Sequence, residues 1–173
     1  MDELEIRKKC VQMVREVLWS TSYDILNNEK IRRKQKDVED LLFLFLKDLL
    51  EKEGKTPSQI ETKESGAYLS VWQIGTKMLK LGRAREKYHI PGSSRRFLLP
   101  LVRHNLDMYE IDGTRFPAHL EIVEAVDVHS TITAEELYEV YRELREDGMI
   151  WTDAKSANVG RLLRDNKPHF ERN

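Results

Sequence analysis

Between Val38 and Leu49 the chain carries Val38, Leu41, Leu42, Phe43, Leu44, Phe45, Leu46 and Leu49, an apolar density too high for a single helix stripe. Val38, Leu41, Leu42, Phe45 and Leu49 recur at three- and four-residue steps, the period of a buried helix face. Phe43, Leu44 and Leu46 fall on its other sides. A helix from about Lys30 to Glu53 is therefore expected, covered on more than one side, at the centre of a bundle or at a partner interface. Gly54 is its stop signal.

Similar patterns predict helices elsewhere. Leu4, Cys10 or Val11, Val14, Val17 and Leu18 mark a first one. Thr56-Pro57-Ser58-Gln59 reads as a helix start, with Thr56 as cap and Gln59 reaching back. From about Ala67 to Lys87, Ser70, Gln73, Lys77, Lys80, Ala84 and Lys87 form a polar stripe at helical steps. Ser93-Ser94 opens a segment running to Asn105. Asp112-Gly113 is a tight-turn signal between Met108–Ile111 and Arg115-Phe116, consistent with a small hairpin. A short helix is expected over 118–128, and Thr133-Ala134-Glu135-Glu136 is a capping box for the next. Another helix is expected over 153–166. The expected class is mainly α: a helical bundle with a basic surface over 1–106, then a helix-turn-helix or winged-helix-like unit over 107–173.

Charge is segregated along the chain. Eight Lys and Arg face one acid, Glu86, between Gly75 and His104, while thirteen acids face three Arg between Asn105 and Asp153. The net charge of −1 conceals this. A clustered basic surface attracts polyanions whatever the total charge. The expected partner is thus nucleic acid, duplex DNA in the first instance, with a protein partner or a homodimer as further options. Phosphate capture is assigned to Lys77, Lys80, Arg83, Arg95 and Arg96. Base reading is assigned to Asn158, Arg161 and Arg164 on the last helix, beside the small residues Ala154, Ala157 and Gly160.

Ile132-Thr133-Ala134-Glu135-Glu136-Leu137-Tyr138, Tyr141 and Ser156-Ala157-Asn158-Val159-Gly160-Arg161-Leu162-Leu163-Arg164 resemble the winged-helix module that ends many phage and plasmid primase-helicases. The resemblance covers residues 118–168. It implies association with DNA and no catalysis, in replication, transcription control or mobile-element biology.

Other classes have thinner support. The longest apolar run, Leu41–Leu46, is too short for a bilayer, and the acidic N-terminus is no signal peptide. Cys10, the single cysteine, excludes an internal disulfide and reads as a core thiol, so a cytoplasmic setting is expected. His89, His104, His119, His129 and His169 lack metal-ligand spacing, so neither metal nor cofactor is expected. The chain is read as a non-enzyme. Two alternatives stand beside this: an adaptor subunit of a larger complex, and a helical ribonuclease whose Arg83 and His89 are similar to the HEPN motif.

Overall fold

Helix α1 (Glu3–Leu18) and helix α2 (Glu29–Glu53) form where the apolar periodicity places them. The computed structural model describes residues 2–18, 29–63, 69–83, 101–111, 114–127, 131–148 and 159–170. In α1 the buried stripe is Ile6, Cys10, Met13 and Val14, and Leu4 is exposed instead. In α2 it is Val38, Leu42, Phe43, Leu46, Leu49 and Leu50. The two helices are joined at their surface as well. Lys47 Nζ donates to Glu3 Oε1 at 2.8 Å, and the Arg7 guanidinium lies 4.0 Å over the Phe43 ring.

The end of α2 is a Schellman stop. Gly54 takes a φ of +63°, Lys55 N donates to Leu50 O at 2.9 Å, and Gly54 N to Glu51 O at 3.2 Å. Thr56 then opens a single 3-10 turn, Pro57–Gln59, and Gln59 Oε1 accepts from Thr56 N at 2.9 Å as the sequence suggested.

Beyond this point the expectation of a mainly α protein fails. The chain is mixed α/β, with eight strands among the described residues. The strands are β1 (Glu61–Lys63), β2 (Leu69–Ile74), β3 (Lys77–Arg83), β4 (Val102–Ile111), β5 (Thr114–Glu124), β6 (Val126–Asp127), β7 (Val159–Leu162) and β8 (Pro168–Phe170). The expected helix over 67–87 is the β2–β3 hairpin, with Ile74 opposite Lys77 and Gly75-Thr76 as its loop. Gly75 has a φ of +60°, which suits the first central position of a two-residue hairpin turn. Trp72, Ile74, Leu79 and Leu81 alternate onto one face, the two-residue period of a strand.

Contacts divide the chain into two compact units: Met1–Ala84 with Val102–Ile122, and Arg85–Leu101 with Val123–Asn173. The first holds a five-stranded sheet in the order β1-β2-β3-β5-β4. Strand β2 is antiparallel to β1 and β3, and β4 is antiparallel to β5. The expected hairpin at Asp112-Gly113 has its strands where predicted, with Ile111 opposite Thr114. Those strands run much further, though, and β5 with β6 replaces the helix expected over 118–128. Trp72, Ile74, Leu79, Leu81, Leu120 and Ile122 share one core with the buried stripes of α1 and α2. That core fixes one sheet face as the helix face.

The second unit contains helix α3 (Ala134–Glu146) and a three-stranded sheet in the order β6-β7-β8. The Thr133 capping box forms as read: Glu136 N donates to Thr133 Oγ1 at 3.1 Å, and Thr133 N to Glu136 Oε1 at 3.2 Å. Val140 and Leu144 pack with Val159. The recognition helix expected over 153–166 is not formed from Val159 onward, where β7 and the turn after it lie. Val159 and Leu162 are fully buried in this strand. Gly160 is small for a reason unrelated to a groove: a Cβ there would stand 3.0 Å from Asp127 O on the neighbouring strand.

Candidate nucleic-acid interface

The residues assigned to phosphate capture do not share a helix face. Lys77 and Lys80 lie on β3, three residues apart, so they point to opposite sides of the sheet. Lys77 Nζ is 3.4 Å from Glu53 Oε1, at the end of α2. Lys80 is on the other side and 3% exposed. Arg83 is the last residue of β3. Arg95, Arg96 and Asn158 lie outside the described residues, as does His89 of the proposed Arg-His motif. The all-helical setting that motif requires is absent among the described residues, because Arg83 ends a strand.

The two C-terminal arginines are engaged within their own unit. Arg161 donates to Thr131 O at 2.9 Å, to Asn166 O at 3.2 Å and to Glu136 Oε1 at 2.8 Å. It therefore fastens the start of α3 to the β7–β8 turn. Bonds from Arg161 and from the Thr133 amide hold the Glu136 carboxyl below its ordinary range. Arg164 is exposed in the turn, with its Nε 3.3 Å from Glu124 Oε1.

A different set gathers on the sheet face opposite α1 and α2. On β5, His119 and Glu121 flank Leu120, whose side chain is in the helix-side core, so both point the other way. Arg103 on β4 stands directly opposite Glu121, and Asn105 directly opposite His119. Lys80, between the core residues Leu79 and Leu81, projects to this same face from β3. His119 Nε2 and Arg103 Nε lie 3.6 Å and 3.5 Å from Glu121 Oε1.

Exposure rises across the strands. Lys80 on the inner strand is 3% exposed, the side chains of His119 and Glu121 are 11% and 15% exposed, and that of Arg103 on the edge strand is 49% exposed. Placing an ammonium group at such depth costs several kcal/mol of hydration before compensation, about the effective penalty for buried ions in general. Its field is screened far less than that of a surface lysine. The open end offers a guanidinium and an amide, both able to bond phosphate oxygens. Among the described residues no three His, Cys, Asp or Glu side chains gather as metal ligands. No helix among them is long and apolar enough to cross a membrane.

Compared with known proteins, the chain matches no family model, no curated protein and no solved structure.

Arg103, Asn105, His119 and Glu121 were missed as a site because the sequence reading sought charge on helices. Their signal is present in His119-Leu120-Glu121-Ile122, where polar and apolar residues alternate with the period of a strand.

Proposed function

We propose that this protein binds single-stranded nucleic acid, RNA in particular, along the exposed edge strand β4 of its five-stranded sheet, in a cytoplasmic setting. The observation that carries this reading is the pair of exposed phosphate-bonding groups at alternate positions of β4, Arg103 and Asn105. Arg103 and Asn105 would contact phosphate and sugar. A sheet platform takes an unpaired strand, in which backbone and base edges are both reachable. Duplex reading by an inserted helix loses its basis where β7 replaces the recognition helix. Fluorescence anisotropy with single-stranded RNA, single-stranded DNA and duplex DNA over a salt series tests the reading. Salt-sensitive binding with preference for single-stranded RNA is the expected result. Binding to none of them at low salt would overturn it and favour a protein partner instead, for which exposed Leu4 and Leu44 on α1 and α2 offer apolar surface.

A further inference from the structure

We infer that β4 pairs with β4 of a second copy of this chain, joining two five-stranded sheets edge to edge about a two-fold axis at His104. The inference goes beyond nucleic-acid binding and does not rest on it.

Strand β4 ends the order β1-β2-β3-β5-β4, so among the described residues its outer side has no strand beside it. Every second residue there turns its N–H and C=O outward, a template for another strand. Leu101 is 56% exposed and Val102 36%, and Arg103, His104 and Asn105 are exposed as well. Val102–Leu106 contains no proline, and Arg103 is its only Lys, Arg, Asp or Glu, so the usual guards of an open edge are thin. The irregularity between Asp107 and Tyr109 bounds the regular stretch at its far end.

That stretch is complementary to itself. A two-fold axis normal to the sheet sets one residue opposite its own copy and keeps the helices of both chains on one side. With His104 on the axis, Val102 meets Leu106 of the copy on the helix side, where Leu106 packs against the core. Arg103 meets Asn105 of the copy on the other side, so no two like charges stand directly opposite. The pairing covers neither group, and both remain able to meet phosphate.

Helix α2 extends the contact. The ring of Phe45 lies 6.3 Å from that of His104, which puts this part of α2 above β4. Helix α1 packs on one flank of α2, where Asp40 and Lys47 reach Arg7 and Glu3. Leu41 and Leu44 lie on the other flank, beyond Phe45, and Leu44 is 64% exposed. The same axis reverses α2 in the copy, so Leu41 and Leu44 meet their counterparts there. Exposed Arg33 precedes this apolar centre and exposed Glu51 follows it on the same flank, so each faces the opposite charge of the copy. Asp48, which would approach Asp37 of the copy, is held by Lys52 at 2.9 Å.

Sedimentation equilibrium of the full chain without RNA is the test. A mass of twice 20.4 kDa at micromolar concentration is expected, falling to 20.4 kDa on dilution. Leu44→Lys sets two ammonium groups at the apolar centre and should weaken the dimer by about tenfold or more. His104→Cys should give a disulfide-linked dimer on mild oxidation, because directly opposite Cα atoms lie about 4.5–5.5 Å apart, within disulfide reach. Cys10 is buried and gives the unaltered chain no such bond. Arg164→Cys, exposed elsewhere, should not link. If one variant fails to fold, the other decides. Monomer at every concentration overturns the inference and leaves the edge to an extended segment of another protein. A dimer that forms no bond in His104→Cys, or that Leu44→Lys leaves unchanged, overturns it too. With RNA absent, none of these outcomes touches the binding reading.

Discussion

Thr76 donates its hydroxyl to Glu53 Oε1 at 2.7 Å, tying the last residue of α2 to the loop of the β2–β3 hairpin. Thr76 N reaches Glu53 Oε2 at 3.4 Å, and Lys77 Nζ lies 3.4 Å from Oε1. One carboxylate therefore fixes the turn that aligns β3, the strand bearing Lys80. The same contact leaves no room at Gly75, where a Cβ would come within 2.8 Å of Glu53 Oε2.

Glu53→Ala should cost on the order of 1 kcal/mol, as removal of a charged hydrogen-bond acceptor does. The effect should depend on pH. Burial pushes the Glu53 carboxyl up, but the bonds from Thr76 and the charge of Lys77 outweigh it, and the net direction is below 4.5. A lowered folded value means the stabilisation is complete above the ordinary carboxylate range and fades as pH falls through the folded value. Melting curves of the two proteins should differ at neutral pH and converge in acid.

Arg161→Ala should lower the melting temperature of the second unit by about 5 °C, since it removes three bonds linking α3 to the β7–β8 turn. A recognition-helix arginine would behave otherwise, losing DNA contact with the fold untouched. Thermal melts followed by circular dichroism separate the two roles.

Cys10 should resist alkylation in the native protein. Burial first, and the nearby Glu39 charge second, push its thiol up to about 12. The reactive species is the thiolate, so iodoacetamide at mildly alkaline pH should label the unfolded chain and spare the folded one. Mass spectrometry before and after denaturant gives the answer.

What was legible in the sequence was local. The stop at Gly54, the caps at Thr56 and Thr133, and the span of α2 each depend on residues within one or two turns, although in α2 Phe43 and Leu46 are buried where Leu41 and Phe45 were expected to be. The β2–β3 hairpin was misread because Ser70, Gln73, Lys77 and Lys80 fit a helical stripe as well as they fit strands. Gly75, inside that stripe, is the turn. The sheet-face site was less legible still. Arg103 meets Glu121, and Asn105 meets His119, only through the register of β4 and β5. Register is set by the whole hydrophobic pattern and the turn, so no local charge count reveals it. The expected recognition helix instead selected Arg161, whose guanidinium pairs with Glu136.

The most direct test of the sheet-face account compares two arginines in one binding assay, Arg103→Gln and Arg164→Gln, against single-stranded RNA over a salt series. Both side chains are exposed and each pairs with a glutamate, so the variants differ chiefly in location. The account predicts weaker binding for Arg103→Gln, with the log–log salt slope reduced by about 0.7, the share of one phosphate on a single strand. Arg164→Gln should bind like the unaltered protein. The reverse outcome, loss at Arg164 with Arg103→Gln unaffected, would contradict the account and place the interface in the C-terminal unit.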